Sequence, residues 1–304
     1  MIRVGFIAER RYLKQPMTEG VMRGLRARGA EADLICPQEC NFEPETGLLY
    51  GEDGITHNLN RYDIIVSRIR NALGMALLSY ANSAGIPILN SYAAVQRTRD
   101  KTEVAVAFGQ AHVLCAPSIL TDDANVLARL SHHWYPLILK AIHGDNSQGL
   151  RMVRCPEDLD IINWGSELVL AQHYLPNDGF DVKLYACGSK VYATRKPSPF
   201  NTDPNAMLQP IQPDQRMIDL TLRCGEILGL DIYGVDAIET PDGPAVIEVN
   251  DFPNFTGMSS VAAEVADYIL ARVGKQTNNK HFWTTKPTRN LRYAYRLHHA
   301  AVGG

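Results

Sequence analysis

The feature that most restricts the fold of this chain is the stretch DIYGVDAIETPDGPAVIEVN at residues 231–250. Two apolar segments, 232–239 and 245–250, flank a Pro-Asp-Gly turn sequence, which predicts an antiparallel β-hairpin. Folding the second strand back about residue 242 places Asp236 opposite Glu248, with their Cβ atoms about 5 Å apart. The chain is therefore expected to contain a sheet that holds two carboxylates side by side.

The polar side chains of this hairpin indicate a metal site. Alternation along a strand puts Glu248 and Asn250 on one face with Asp236, and predicts that Ile247 and Val249 lie on the opposite, apolar face. Two close carboxylates repel each other unless a proton or a cation lies between them. Oxygen ligands without a neighbouring His or Cys favour Mg²⁺, which takes other ligands from water and phosphates. A solvated face is the alternative, which the apolar character of the hairpin disfavours.

The first third of the chain has an α/β pattern. Strand and helix segments alternate up to about residue 95, which predicts a mostly parallel sheet covered on both faces. The predicted strands are residues 2–8, 32–36, 63–67 and 86–89, and the predicted helices are residues 19–28 and 72–84. Residues 38–60 are predicted to be irregular. One helix is predicted over residues 91–111, since Ser91 is a favourable N-cap.

The rest of the chain has an α+β pattern. The predicted strands are residues 116–119, 135–142, 150–153 and 168–174, and the predicted helices are residues 122–130 and 214–228. A further hairpin is predicted at residues 181–187 and 190–194, because Gly188-Ser189 is a two-residue turn. We therefore expect an N-terminal α/β domain (residues 1–95), a central subdomain (96–175) and a C-terminal lobe with the metal site and a polar tail (176–304).

Composition restricts the classes of partner. The formal net charge is −3, so we expect no binding to nucleic acid. We find no apolar run that could span a bilayer and no signal peptide, which predicts a cytoplasmic protein without membrane contact. The six cysteines have no C-x-x-C pair and no zinc-ligand spacing, so reduced thiols are expected.

Charged residues in two other strands suggest phosphate binding. Lys140 lies in the apolar segment YPLILKAI, where an ammonium group needs a compensating anion. The loop HGDNSQG follows, and its backbone N–H groups suit phosphate oxygens. Lys183 and Arg195 are candidates for neutralising charge during phosphoryl transfer. The alternatives are that Lys140 reaches solvent and that Lys183 forms a charge pair with Asp181.

The order of these segments resembles the ATP-grasp superfamily. The resemblance lies in Lys101, Lys140, Ser147-Gln148-Gly149, Gln172-His173-Tyr174, Asp181-Val182-Lys183, the basic strand end with Arg195, and Asp236 with Glu248-Val249-Asn250. The chain is most similar to the branch that holds the ribosomal-protein glutamate ligases and the lysine-biosynthesis carrier-protein ligases. The likeness covers nearly the whole chain, and the GVDAIE…VIEVN pattern is its most specific part.

The resemblance implies a fold, a reaction and a set of roles. An α/β domain would precede two lobes that clamp ATP, and a small-molecule carboxylate would become an acyl phosphate from which an amine displaces phosphate. A homodimer is one possible assembly. The nucleotide residues would be Lys101, Lys140, Ser147, Gln148, Gly149, Gln172, His173, Tyr174 and Asp181. The Mg²⁺ ligands would be Asp236, Glu248 and Asn250, with Lys183 and Arg195 acting in catalysis.

Departures from the family pattern suggest an unusual substrate. Lys183 replaces the arginine of a common D-x-R sequence, and residues 198–214 lack the glycines of the usual Asn…Gly-Gly loop. Asp251-Phe252-Pro253 follows the metal-ligand strand, where relatives usually have a small residue, Pro and Gly. These changes suggest a small-molecule acceptor. Arg68 and Arg70 are candidates for binding a substrate carboxylate, with solvent-exposed arginines as the alternative.

Two other functions remain open from the sequence. Inositol polyphosphate kinases share the ATP-grasp core, and the segments FDVKLYACGSKVYATRKPS and EVNDFPNFTGM also resemble theirs. Such a kinase needs many basic residues for a polyanion, and the N-terminal part offers Arg10, Arg11, Lys14, Arg68 and Arg70. The second alternative is a nucleotide-binding module without turnover, against which the complete set of metal-ligand types argues.

Overall fold

The computed structural model describes residues 1–52, 54–142, 150–162, 168–258 and 260–277. The first third contains β1 (Arg3–Ala8), α1 (Arg10–Leu13), α2 (Pro16–Ala27), β2 (Glu31–Ile35), β3 (Asn41–Glu43), β4 (Leu48–Gly51), β5 (Gly54–Asn58), β6 (Ile64–Arg68), α3 (Ala72–Ser83) and β7 (Ile88–Leu89). The middle contains α4 (Tyr92–Arg99), α5 (Lys101–Gln110), β8 (Ser118–Thr121), β9 (Leu137–Ala141), β10 (Arg151–Val153) and β11 (Val169–His173). The last part contains β12 (Phe180–Cys187), β13 (Lys190–Pro197), β14 (Gln209–Ile211), α6 (Gln215–Leu228), β15 (Ile232–Thr240), β16 (Gly243–Asp251) and α7 (Val261–Thr277).

The N-terminal sheet is parallel, as predicted. Its strand order is β2-β1-β6-β7, and each neighbouring pair runs parallel. All five residues of β6 and five of the six in β1 are buried, as expected for strands covered on both faces. Val4 and Phe6 pack with α2 and α7, whereas Ile7 packs with α3.

The segment predicted to be irregular, residues 38–60, contains a small antiparallel sheet. Its strand order is β3-β4-β5. Leu49 and Leu59 are fully buried against the α3 side of the N-terminal domain. The prediction was wrong because it relied on the many turn-forming residues of this stretch. A few apolar side chains that pack in the core are enough to stabilise short strands there.

The central sheet is antiparallel and has the order β10-β9-β11-β8. One face packs on a small core that includes Leu139 and Ala171. The opposite face carries Ile138 and Lys140 and is directed at the C-terminal lobe, because side chains alternate along β9. The helix predicted at residues 122–130 is a short 3₁₀ helix, Ala124–Arg129.

The helix predicted over residues 91–111 is two helices. Asp100 has extended backbone angles, φ −96° and ψ 104°, and separates α4 from α5. Its carboxylate accepts hydrogen bonds from the backbone N–H groups of Thr102 (2.8 Å) and Glu103 (3.3 Å), so it caps α5. The break places Lys101 in the first turn of α5 instead of in a helix interior.

The C-terminal sheet is antiparallel and has the order β14-β13-β12-β15-β16. Both predicted hairpins are present, with residues 188–189 joining β12 to β13 and residues 241–242 joining β15 to β16. The α6 helix packs on one face through Met217 and Leu228, which contact a core that contains Val235. On the other face, Tyr185 and Cys187 pack in the core shared with α2 and α7, and the remainder faces the central sheet across a cleft.

The last described helix, α7, returns to the N-terminal domain and packs against α2. Two glycines of α2 permit this close approach. A Cβ atom on Gly20 would lie 2.7 Å from Cβ of Ala262, and one on Gly24 would lie 2.9 Å from Cβ of Ala266. The sequence analysis assigned no structure to α7, although its apolar periodicity is typical of a packed helix.

We expect Gly20→Ala to destabilise the protein, because the added methyl group would overlap Ala262. Overpacking of this kind costs about 1–3 kcal/mol and outweighs the gain of about 1 kcal/mol that alanine gives in a helix. Gly109→Ala in α5 is the matched control, since a Cβ there meets nothing within 4 Å. Chemical denaturation measures both variants. Equal free energies of unfolding for Gly20→Ala and Gly109→Ala would contradict this account of the α2–α7 contact.

Candidate active site

Three charged side chains form a row across the C-terminal sheet. Lys183 in β12 lies opposite Asp236 in β15, and Asp236 lies opposite Glu248 in β16. The predicted opposition of Asp236 and Glu248 is therefore confirmed. The Lys183 ammonium forms an ion pair with Asp236 Oδ2. This ion pair differs from the alternative drawn from the sequence, in which Lys183 pairs with Asp181.

A β-bulge next to this row corrects one prediction. The register shifts between Asp236 and Ala237, so Asp236 pairs with Glu248 while Ala237 pairs with Val246, leaving Ile247 as the extra residue. Val246 and Val249 consequently both face the apolar core, whereas Ile247 and Glu248 both face the cleft. The prediction that Ile247 lies on the apolar face was wrong, because simple alternation does not hold across a bulge.

The bulge also provides a partner for the lysine of the opposing sheet. Lys140 Nζ donates a hydrogen bond of 3.1 Å to the backbone oxygen of Ile247. Lys140 therefore points across the cleft and not out to solvent. It points at the β15–β16 hairpin, named the metal hairpin for its predicted ligands Asp236, Glu248 and Asn250. Lys101 reaches the same place from α5, with its ammonium 3.5 Å from Glu248 Oε1 and 3.5 Å from the oxygen of Ile142. Its position at a helix N-terminus is unfavourable for a cation, and Glu248 offsets this.

Burial shifts the pKa values of the charged groups at this place. Burial lowers the pKa of Lys140, with Glu248 opposing the shift. Burial raises the pKa of Asp236 and of Asp181, with Lys183 opposing it in both. For Lys183, burial lowers the pKa, but the pairing with Asp236 outweighs it and the net shift is upward. The cleft therefore penalises both signs of charge unless each has an opposite neighbour, as polyphosphate and a divalent cation would provide.

The third predicted metal ligand contacts the N-terminal domain. Asn250 Oδ1 accepts a hydrogen bond of 2.9 Å from Arg70 Nη2, and Arg70 Nη1 lies 3.7 Å from Asp251 Oδ1. The buried Glu9 carboxylate accepts hydrogen bonds from the backbone N–H groups of Arg70 and Asn71. Glu9, which follows β1 of the parallel sheet, thus fixes the backbone of Arg70. The Arg70 guanidinium lies at the end of β16.

Two adjoining cavities lie between the central sheet and the C-terminal lobe. The smaller has a volume of about 110 Å³ and is lined by Lys140, Asp181, Lys183, Asp236 and the strand end Gln172-His173-Tyr174, among others. The larger has a volume of about 590 Å³ and includes Arg70, Lys101, Glu248 and Asn250 in its lining. Both cavities include Lys101, Gln172, Ile247 and Glu248, so they form one cleft that meets at the metal hairpin.

The predicted nucleotide residues that the structure describes line the smaller cavity. His173 is oriented by a hydrogen bond of 2.8 Å between its Nδ1 and the oxygen of Trp134. Tyr174 packs edge-on against Phe200, with 6.2 Å between the ring centroids. The predicted phosphate-loop residues Ser147, Gln148 and Gly149 lie outside the described residues.

The structure does not bring Arg195 to the cleft. Arg195 lies opposite Val182, on the other face of the sheet from Lys183, and its guanidinium pairs with Asp178 and stacks over Phe180 at 4.6 Å. Lys196 lies opposite Asp181 and lines the smaller cavity. Lys196 is thus the one of these two basic residues that shares a face with Lys183, and the period of two across the hairpin could have distinguished them.

Arg68 is also placed differently from the prediction. It is 5% exposed, donates hydrogen bonds to Thr18 Oγ1 (3.2 Å) and Asn254 Oδ1 (2.6 Å), and lies 4.3 Å above the Tyr12 ring. Burial lowers its pKa to about 10, so it remains charged at neutral pH. Arg68 therefore joins the N-terminal sheet to the segment after β16, and neither a substrate clamp nor a solvent-exposed arginine describes it.

The donor set fits a magnesium ion that is shared with phosphate groups. Asp236, Glu248 and Asn250 provide carboxylate and amide oxygens, and no cluster of three His, Cys, Asp or Glu side chains occurs in the described parts of the chain. Magnesium is usually bound by one or two carboxylates together with substrate phosphates. These residues therefore do not form a closed metal site made by the protein alone.

Comparisons with known proteins agree with this geometry. A family model described as a RimK-like ATP-grasp domain matches residues 98–273, more than half of the chain. This chain belongs to the RimK-like ATP-grasp family. A relative described as probable alpha-L-glutamate ligase 2, from Hahella chejuensis, is 25% identical over 283 residues, which cover 84% of this chain and 92% of the relative.

Solved structures share the fold. A RimK domain ATP-grasp protein from Sphaerobacter thermophilus matches with a TM-score of 0.69 at 22% identity, over 88% of this chain and 99% of that one. The ATP-grasp ligase PsnB, complexed with minimal precursor, Mg and ADP, matches with a TM-score of 0.65 at 18% identity, over 89% and 98%. The predicted superfamily and fold class are confirmed, and the predicted ATP-dependent carbon–nitrogen ligation agrees with the family and its named relatives. No helix among the described residues could cross a membrane.

We expect Lys140→Met to lose most of the stabilisation that Mg-ATP gives the wild type, because it removes an ammonium that reaches the β15–β16 hairpin and donates a hydrogen bond to the backbone oxygen of Ile247. Lys190→Met, at an exposed ion pair with Glu264, is the matched control and should keep that stabilisation. Melting temperatures with and without Mg-ATP measure the effect in both variants. A shift with Mg-ATP as large in Lys140→Met as in Lys190→Met would contradict the placement of Lys140 at the nucleotide.

Proposed function

We propose that this protein joins a carboxylate to an amine at the expense of ATP, through an acyl phosphate, and releases ADP and phosphate. The observation on which this rests is the direct opposition of Asp236 and Glu248 in a cleft where Lys101, Lys140 and Lys183 converge. Such a set of opposite charges suits a polyphosphate that shares a divalent cation with the protein.

The proposed roles follow from where each side chain lies. Asp236, Glu248 and Asn250 would hold Mg²⁺, which would supply neutralisation of phosphate charge. Lys101 and Lys140 lie beside the same hairpin and would contact phosphate oxygens. The adenine would occupy the smaller cavity, at the strand end 172–174. That cavity, at about 110 Å³, is below the usual size of ligand sites, about 300–1,000 Å³, so it must widen when nucleotide enters.

The proposed reaction consists of two successive displacements, and the side chains of the cleft position the reacting groups. A carboxylate oxygen of the substrate attacks the terminal phosphorus of ATP, and the bond from that phosphorus to the ADP oxygen breaks. The amine nitrogen next attacks the acyl carbon, the bond to the phosphate oxygen breaks, and the amine loses a proton to solvent. Lys183 would neutralise negative charge on the transferred group, and its ion-pair partner Asp236 would hold Mg²⁺. Arg70 would bind the substrate carboxylate.

The kinase alternative has less support from the basic residues of the N-terminal domain. Arg10 pairs with Glu39, Arg11 pairs with Glu9, and Arg68 is buried. Five basic residues were expected to bind a polyanion if the protein were a kinase. Of these, Arg70 is the one that lines a described cavity of the cleft. A polyanionic substrate would need more cations than these. The cytoplasmic location and the homodimer stay predictions.

We expect Glu248→Gln to lower turnover by about 100-fold or more, because removing one charged ligand weakens the field at the transferred phosphoryl group. Glu239→Gln, in the same hairpin but on an exposed side chain, is the matched control and should retain wild-type turnover. ADP release measures both, and circular dichroism checks that both are folded. Near-normal activity in a folded Glu248→Gln protein would overturn the metal assignment.

Mass spectrometry of a metabolite mixture incubated with the protein and Mg-ATP tests the reaction itself. The ligase proposal expects ADP together with a product whose mass equals that of two metabolites less water. A product that is heavier by one phosphoryl group, with ADP, would instead establish a kinase and refute the ligase.

A further inference from the structure

The end of β16 is held against the N-terminal domain, directly after the proposed metal ligand Asn250. Phe252 is 2% exposed and packs edge-on against Phe6 of β1, with 5.4 Å between the ring centroids. Asn254 Oδ1 accepts a hydrogen bond of 2.6 Å from Arg68, which follows from the parallel sheet. These contacts fix the backbone that follows Asn250, whereas the orientation of its side-chain amide needs a contact of its own.

Arg70 provides that contact. The two ends of an asparagine amide differ, since the oxygen accepts hydrogen bonds and the NH₂ group donates them. A guanidinium can only donate, and the hydrogen bond of 2.9 Å from Arg70 Nη2 goes to Asn250 Oδ1. An amide oxygen has two lone pairs, so Oδ1 can accept this hydrogen bond and bind a cation as well. Arg70 therefore determines which atom of the amide is held at this position.

Glu9 in turn holds Arg70. Glu9 is 4% exposed, and its Oε1 accepts hydrogen bonds from the backbone N–H groups of Arg70 and of Asn71, the latter at 2.6 Å. Both N–H groups precede the first residue of α3, so the helix provides no partner for them. The backbone N–H of Glu9 also donates to the backbone oxygen of Arg68 at 3.3 Å. The turn between β6 and α3 is thus bound to the residue that follows β1.

These contacts lead from the parallel sheet to the metal hairpin, from Glu9 to Arg70 and from Arg70 to Asn250. The χ2 torsion of asparagine is broad and roughly two-fold, so an amide without a partner samples several orientations. Groups that orient a metal ligand change the affinity for the metal about 10- to 100-fold when they are removed. The orientation of Asn250 is therefore expected to affect how tightly the hairpin holds a cation.

We propose that Arg70 is a positioning residue for the metal ligand Asn250, and that Glu9, by holding Arg70, lets the N-terminal domain set the affinity of the hairpin for Mg²⁺. This proposal rests on the function proposed above, in which the hairpin holds Mg²⁺. It adds Glu9, which contacts neither metal nor nucleotide, and gives Arg70 a role besides the substrate carboxylate. Its test therefore needs neither the acid nor the amine.

Calorimetric titration with the non-hydrolysable ATP analogue adenylyl imidodiphosphate, at a series of Mg²⁺ concentrations, measures two quantities. These are the nucleotide affinity without Mg²⁺ and the Mg²⁺ concentration that gives half of the maximal tightening. Glu9→Leu removes the acceptor for the turn and should raise that Mg²⁺ concentration about tenfold or more, with the nucleotide affinity without Mg²⁺ unchanged. Glu9→Gln keeps an amide oxygen as the acceptor and should restore most of the Mg²⁺ dependence.

Two further variants complete the test. Glu39→Leu is the matched control, because Glu39 is an exposed carboxylate of the same domain that pairs with Arg10, and it should keep the wild-type Mg²⁺ dependence. Arg70→Met removes the donor to Asn250 while Glu9 stays in place, and it should behave as Glu9→Leu does. It tests the same step if Glu9→Leu does not fold, which circular dichroism checks.

The outcomes separate this proposal from the one beneath it. Wild-type Mg²⁺ dependence in a folded Glu9→Leu or Arg70→Met protein would overturn the positioning role and leave the metal site intact. A loss of nucleotide affinity that is as large without Mg²⁺ as with it would also overturn that role, because these residues would then act on the nucleotide and not on the metal ligand. Equal nucleotide binding by the wild type with and without Mg²⁺ would overturn the metal-dependent function, and the positioning role with it.

Discussion

The interaction on which the site depends is the opposition of two carboxylates across one antiparallel hairpin. Asp236 and Glu248 face each other where burial already raises the pKa of Asp236. Without compensation, this pair would destabilise the sheet. The protein meets that repulsion with cations from three different elements: Lys183 from the neighbouring strand, Lys101 from α5, and Lys140 from the opposing sheet. The row of charges therefore joins both walls of the cleft.

Several features of the fold place those cations. The Asp100 cap starts α5 at Lys101, and the bulge at Ile247 turns a backbone oxygen towards Lys140. The N-terminal domain contributes Arg70, whose guanidinium contacts Asn250. Packing of α7 on α2 fastens the end of the C-terminal lobe to the same domain.

The sequence predicted the parts of the site that follow from strand periodicity and turn chemistry. The opposition of Asp236 and Glu248 was predicted from a turn centred on residue 242, whereas the structure reaches it with a two-residue turn at 241–242 and the extra residue Ile247. The parallel N-terminal sheet follows from alternating strand and helix segments. The bulge at Ile247 could not be predicted, because it depends on tertiary contacts across the cleft and has no local turn signal. The separation of α4 from α5 was missed, although an aspartate that precedes a helical segment is a capping signal. Burial of Arg68 depends on partners far away in sequence, which periodicity cannot identify.

The central claim is that the hairpin binds nucleotide through a shared metal ion. Calorimetric titration with the non-hydrolysable analogue adenylyl imidodiphosphate, with and without Mg²⁺, tests it in the wild type and in the double variant Asp236→Asn/Glu248→Gln. The account predicts that Mg²⁺ tightens binding to the wild type and that this dependence is lost in the variant, because binding of metal and nucleotide are linked through the two carboxylates. An equal effect of Mg²⁺ on both proteins would show that the metal is held elsewhere and would contradict the account.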